Sequence, residues 1–472
     1  MRIYIKYWCV LLLAFTACEP EINEDLNFNA GNLNVETYLA VGDDFTAGVF
    51  SNGLTQNSQE NSFANILAQQ FKRVGGGNFN QPLMPMGAGS GEYSIGSIDP
   101  NFCEGSSPQP VINRGEADAA WKNNIYEQGA FNNLGVQRMK LTSVLDKSWS
   151  TFAFNNIDSL NDNGAYLARM SPAGFEDTTS YNDLTMQTLD ALQPSFFTCW
   201  LGISDVLLFA ASGGGLISGE TGVLPGYSCD IDLGELSPST LTNPTVFEEN
   251  YRVLIQTLTT SNSIEGALIG IPNILNFPYF RAVTEGTIGA DGKLQVKEFG
   301  DCDNPHDIWM KSGDSVRVAL HEDLILLPAY FTMGNSPGVP CSNPQAMPDE
   351  PHGLHEGNPL LNSEVLTAAE AELVSKAISD FNEIIKALAE EFGLMYIDVN
   401  SFYDKYNDNH VAAGVDYNRE FLTGNIYSLD GFHFTARGNA FFANYIIEQL
   451  NSHYLANIPM AEPTAFDVIA FP

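Results

Sequence analysis

The stretch YLAVGDDFTAG, Tyr38 to Gly48, decides the reading of this chain. An apolar run with a β-branched end, Tyr38 to Val41, breaks at Gly42-Asp43-Asp44 and continues into residues that suit a helix. A strand that turns sharply into a helix is where hydrolases often present a nucleophile. Here the turn offers only two carboxylates, Asp43 and Asp44.

Three further apolar runs have the length and β-branched or aromatic content of buried parallel strands: SFFTCWLGI (195 to 203), IEGALIGI (264 to 271) and LMYIDV (394 to 399). Helical periodicity accompanies them in SFANILAQQFK (62 to 72), TMQTLDALQ (185 to 193), FEENYRVLIQTLTT (247 to 260), TAAEAELVSKAISDFNEIIKALAEEFG (367 to 393) and TARGNAFFANYIIEQLNSHY (435 to 454). Strand and helix in alternation predict an α/β fold, a three-layer α/β/α sandwich around a parallel sheet. The chain is far longer than such a sheet needs, and the excess falls in Gly/Pro-rich insertions at about 74–130, 206–244 and 282–362. With no polar linker between two cores, residues 36–472 read as one domain. Loops of this size are expected to wall a site beyond the carboxyl ends of the strands.

The N-terminus reads as a targeting segment. Arg2 and Lys6 precede the apolar run CVLLLAFTAC, too short to span a bilayer stably. Residues 1–17 resemble a bacterial lipoprotein signal, with Cys18 the lipidated first residue and membrane attachment through that lipid. Residues 18–35 read as an acidic tether. Acidic residues directly after such a cysteine resemble the surface-export signals of Bacteroidetes lipoproteins. The expected location is therefore the outer membrane, facing the cell surface, with the periplasmic face second.

A formal charge of -36 excludes nucleic acid as a natural partner. Cysteine use fits an oxidising compartment. Cys199 lies inside an apolar run and reads as a buried free thiol, whereas Cys103, Cys229, Cys302 and Cys341 sit in loops. Two disulfides fit these four, Cys302 to Cys341 being favoured on proximity alone. No Cys-x-x-Cys or His-x-x-x-His spacing points to a metal, and no cofactor is expected.

Near the C-terminus, SLDGFHFTARGNAFFANYIIEQLN places Asp430 and His433 around a Gly-Phe turn at the entry to the last helix. A carboxylate at this spacing can accept a hydrogen bond from one imidazole nitrogen and leave the other to act as a base. The block DGFHFTARGNAFFAN resembles the terminal block of SGNH/GDSL ester hydrolases. AVGDDFTAG, NNLGVQRMKL (132 to 141) and LGISDVL (201 to 207) resemble that family's first three blocks in order, over about 36–454, and NSFANILAQQF and IGIPNILNFPYF resemble a Bacteroidetes lipoprotein branch of it. The resemblance implies a flavodoxin-like SGNH sheet and an ancestral esterase or acylhydrolase (lipase-like) site without metal or cofactor.

The departures from the family pattern fall on the chemistry. Asp44 stands where the family places its nucleophilic Ser, Arg138 where it has a Gly whose N–H helps hold the oxyanion, and Ser204 where it has an Asn donor. Only Asp430 and His433 are retained. An ionised Asp44 has no proton to give and attacks esters poorly. Each lost oxyanion donor costs about 10² to 10³ in rate. Arg138 can still offer its backbone N–H, but its side chain is expected to fill space and bring charge into the site, and two carboxylates around His433 are expected to hold it as imidazolium.

Other motifs read as structural. The literal Gly313-Asp314-Ser315 follows no apolar strand and reads as a hairpin turn. Thr46 and Ser51 are expected to face away from the site. DCDNPHD (301 to 307) reads as a disulfide-anchored polar loop rather than a Ca²⁺ loop, and His352 and His355 as incidental rather than metal-binding. Aromatics in NFPYFRAV (276 to 283) suit core packing or stacking on a ligand. Two functions follow. One is a pseudoenzyme-like surface lipoprotein that keeps its cleft for a glycan, a lipid or an outer-membrane partner; the other is an esterase working through an atypical site with His433 and Asp430.

Overall fold

A computed structural model of the chain describes residues 27–87, 89–99, 109–147, 163–172, 179–214, 241–260, 264–283, 287–288, 291–296, 305–313, 315–334 and 350–471. Cys18, Cys103, Cys229, Cys302, Cys341, Asp301 and Asp303 lie outside these residues, and with them the lipidation and disulfide expectations.

Five strands form the central sheet: β1 (Tyr38–Gly42), β2 (Asn133–Gly135), β3 (Phe196–Trp200), β4 (Glu265–Ile269) and β5 (Met395–Ile397). They are all parallel, and their spatial order is β2-β1-β3-β4-β5. This is the flavodoxin-like doubly wound order, with its switch point between β1 and β3. The register runs Val41 opposite Leu134 on one side and Cys199 on the other, then Cys199 opposite Leu268. Four strands coincide with the apolar runs of the sequence. The fifth, β2, is three residues long and carries no run that could announce it.

Helices cover both faces. On one, α1 (Asp44–Ala47), α2 (Phe63–Lys72) and α7 (Ala436–Tyr454) pack through Phe63, Trp200 and Phe442, the last two stacked at 4.5 Å. On the other, α3 (Tyr181–Leu192), α5 (Pro244–Leu258) and α6 (Ala368–Phe392) meet, with Phe247 and Phe381 stacked at 4.0 Å. The short α4 (Ile203–Ala211) follows β3 directly. Cys199 is buried and free, its thiol pushed up to about 12 by burial. Among the described residues no helix is long and apolar enough to cross a membrane.

The long helices on the second face begin where side chains satisfy exposed N–H groups: Thr367 and Glu370 form a capping box on α6, and Ser180 and Asp183 one on α3. Close approach fixes two glycines around the first turn. A Cβ on Gly135 would lie 2.2 Å from the Ala47 nitrogen, and one on Gly42 would lie 2.0 Å from Thr46 Oγ1, so α1 sits directly across the ends of β1 and β2.

The excess segments brace the loops at the strands' carboxyl ends. In the first, the hairpin of Tyr93–Asp99 and Gln109–Arg114 is held by the Tyr93 N–H donating to Ser51 O. Just ahead of the third, Tyr279 stacks on Phe432 at 4.1 Å and its N–H donates to Gly431 O. Ser312 and Ser315 pair at the end of two antiparallel strands, Trp309–Ser312 and Ser315–Val318, and Asp314 of the literal Gly313 to Ser315 motif lies outside the described residues.

Candidate functional site

The site lies where β1, β2 and β3 end, and it is built around one carboxylate. Asp43 caps α1, its Oδ1 accepting from Phe45 N–H at 3.4 Å, and this sharp entry aims Asp44 into the gap between the loops after β2 and β3. Asp44 Oδ2 accepts the backbone N–H of Arg138 at 2.8 Å and the hydroxyl of Ser204 at 3.2 Å. Arg138 reaches this geometry with φ at +59°, the left-handed region that glycine occupies without strain. Ser204 reaches it from the first turn of α4, behind Gly202 at φ +113°.

Asp44 Oδ1 makes no hydrogen bond among the described residues; it faces His433 Nε2 at 3.8 Å. The other imidazole nitrogen, Nδ1, lies 2.7 Å from Asp430 Oδ2. The Arg138 backbone N–H and the shorter Ser204 hydroxyl thus both point at one place, and the anion they hold is the protein's own side chain.

Asp430 is the most heavily supported group of the site. Its Oδ2 also accepts the Asn52 N–H at 2.6 Å, and its Oδ1 accepts the N–H groups of Phe432 and His433, both at 2.9 Å, and the Ser428 hydroxyl at 3.1 Å. Burial alone would raise this carboxyl, but the His433 charge and these donors overcome it and hold it at about 2. For His433 burial opposes the charged form, yet Asp430 and then Asp44 outweigh it, with Arg138 opposing, so its pKa stands above the ordinary imidazole value. Phe45 fixes the ring from the side at 4.9 Å. Asp43, wholly buried, is pushed well above the ordinary carboxylate range by burial, with Asp44's charge adding in the same direction.

The signs of these shifts predict an acid limit. Asp430 is lowered by folding, so its contribution is complete above the ordinary value of 3.8 and is lost as pH falls toward about 2. That interval corresponds to about 2 kcal/mol. The melting temperature of the wild type is expected to fall over that interval more steeply than that of Asp430→Asn; parallel acid profiles would contradict the assignment.

Sequence reasoning missed the 51–53 loop that completes the site. Ser51 donates its N–H to Ser428 Oγ and its own Oγ accepts from Leu429 N–H, which ties this loop to the one bearing Asp430 and His433. Asn52 sits at φ +62°, donates from Nδ2 to Tyr93 Oη at 2.9 Å and accepts from Arg138 Nη2 at 3.5 Å. The Asn52-Gly53 dipeptide is the turn signal that could have found it. Glu92, beside Thr55 and within reach of Asp430's charge, is raised by burial to about 7. Asp205 divides its work from Ser204: buried and raised to about 6 by burial, it accepts Leu141 N–H at 2.9 Å and Thr242 Oγ1 at 2.6 Å, pinning the loop that carries Arg138. Thr46 is buried, and its hydroxyl has no hydrogen-bond partner.

Among the described residues no group of three or more His, Cys, Asp or Glu side chains is placed to hold a metal ion. His352 is wholly buried against Glu364 at 2.8 Å and Asn358 at 3.2 Å, while His355 lies 3.0 Å from Glu350.

No family model matches the chain, and no curated protein matches it. Among solved structures the extracellular lipase from Streptomyces rimosus is matched at 10% sequence identity and a TM-score of 0.32, over 87% of this chain and 98% of that one.

Proposed function

We propose that this chain is a lipid-anchored SGNH/GDSL-like protein that has given up Ser-dependent ester hydrolysis and uses its cleft for binding. The observation carrying this reading is the position of Asp44: its Oδ2 takes both donors that would otherwise stabilise a substrate oxyanion. An incoming ester carbonyl would have to displace a charged, hydrogen-bonded group from a site where the side chain is 8% exposed. The carboxylate has no proton for His433 to remove, and attack on an acyl carbon would give an anhydride rather than a stable acyl-enzyme.

Support for the family comes from the strand order and from the ordered placement of Asp44, Arg138, Ser204, Asp430 and His433 on successive loops. Lipid attachment at Cys18, outer-membrane location at the cell surface and a glycan, lipid or outer-membrane protein as ligand rest on the leader, the acidic tether and the acidic composition. A second reading, hydrolysis through an atypical site with His433 and Asp430, draws on His433 Nε2, which is buried without a hydrogen-bond partner.

Purified protein assayed with short-chain nitrophenyl esters and acetylated glycans is expected to show no turnover above that of His433→Ala. Robust, His433-dependent turnover would overturn the proposal.

A further inference from the structure

Asp44 presents two chemically different oxygens. Oδ2 is pinned by the Arg138 N–H and the Ser204 hydroxyl, whereas Oδ1 makes no hydrogen bond among the described residues. Beside Oδ1, at 3.8 Å, stands His433 Nε2, more than nine-tenths buried and without a partner, on a ring whose other nitrogen is held by Asp430. A carboxylate with one oxygen in an anion cradle and one free lone pair is useless toward esters but suited to another electrophile. Attack on a saturated carbon gives an ordinary alkyl ester, which the same cradle and the same base can then open.

We propose that Asp44 is a nucleophile toward saturated carbon, and that the cleft accepts alkyl electrophiles whose leaving group departs as a stable anion, such as alkyl halides. The inference rests on the loss of Ser-dependent acyl transfer and goes beyond it by naming a reaction and a substrate class.

In the first step Asp44 Oδ1 forms a bond to the substrate carbon, and the carbon–halogen bond breaks with its electron pair leaving as halide. Asp44 becomes a neutral ester whose carbonyl oxygen, Oδ2, stays on its two donors. The loss of Asp44's charge removes one of the two attractions that keep His433 protonated, so the imidazole releases a proton to solvent and becomes a base. In the second step a water beside Nε2 gives its proton to His433 while its oxygen bonds to Asp44 Cγ. The negative charge formed on Oδ2 is held by Arg138 N–H and Ser204 Oγ–H. Collapse breaks the bond between Cγ and Oδ1, His433 returns the proton to the departing alkoxide, and the carboxylic acid left on Asp44 passes its remaining proton to the neutral His433, which restores the carboxylate and the imidazolium. The sum is alkyl halide plus water giving alcohol, halide and one proton. The alcohol carries the old Oδ1, and Asp44 acquires its replacement from water.

This exchange supplies the test. Wild-type protein turning over 1-bromobutane in heavy-oxygen water is expected to carry the label in the peptide containing Asp44. His433→Gln, in which Gln can still bond Asp430, is expected to stop after the first step and gain the mass of one butyl group per chain on that peptide, and Asp44→Asn to gain none there. Cooperative melting of each variant establishes that it is folded, and the labelling arm needs no variant at all. Absence of both label and adduct, or alkylation confined to other residues, would overturn the proposal. That outcome with inert esters leaves the loss of Ser-type hydrolysis standing, whereas ester turnover by the wild type removes that reading independently of the butyl result.

Discussion

Asp44→Ser is expected to hydrolyse activated short-chain esters at a rate at least about 10² above the wild type, because one substitution restores the missing nucleophile and vacates the anion cradle together. The cradle is otherwise complete: the Arg138 N–H and Ser204 hydroxyl converge on one point, and His433 faces it with Asp430 behind. Removing Asp44's charge also lessens the stabilisation of the imidazolium, which makes His433 a base nearer neutral pH. The gain should vanish in Asp44→Ser combined with His433→Ala, measured as nitrophenyl ester release. Silence of a folded Asp44→Ser protein would mean that Arg138's side chain or the short Ser204 hydroxyl, not the missing nucleophile, limits the site.

The second large effect lies outside the site. Glu364→Ala is expected to lower unfolding free energy by about 3–5 kcal/mol, since it leaves a buried His352 without its counter-charge. Glu364 accepts from His352 Nε2 at 2.8 Å, from Leu361 N–H at 2.9 Å and from Thr332 Oγ1 at 2.7 Å, and both members of the pair are wholly buried. Burial would raise Glu364, but the His352 charge and these donors lower it, and the same partnership raises His352. The pair also joins the helical turn at Leu327–Thr332 to the segment that leads into α6, so its loss loosens the wall behind Gly431, where a Cβ would meet Leu327 at 3.2 Å. Chemical denaturation checks the magnitude, and a loss under about 1 kcal/mol would show that the pair is not a support.

Much of this architecture is legible in the residues because the signals are local. Tyr38 to Val41 and Phe196 to Trp200 are apolar over their whole length because both faces of the sheet are covered, and Asp430 and His433 are three positions apart on one turn. Long-range pairing is not legible in this way. Asn133 to Gly135 is too short to declare a strand, and its pairing with β1 is braced by distant groups, Asn132 Nδ2 donating to Tyr38 O and Tyr181 Oη donating to Leu134 O. His352 finds Glu364 only once the insertion is folded, and Asn52 reaches Asp430 across most of the chain length. Arg138 conceals its role differently. Its backbone N–H could be named as a donor from its place in the block, but the positive φ that aims it at Asp44 is announced by no property of arginine.

The direction of His433's shift tests most directly whether Asp44 faces the imidazole as a charged neighbour held in the cradle. The measurement is an NMR titration of the His433 ring nitrogens in the wild type and in Asp44→Asn. The wild-type ring is expected to remain protonated above the ordinary imidazole value of 6.5, and the substitution to bring its midpoint down while the hydrogen bond to Asp430 persists. Superimposable titrations in the two proteins would contradict the account, since the Asp44 carboxylate would then lie away from His433 and from the two donors that define the site.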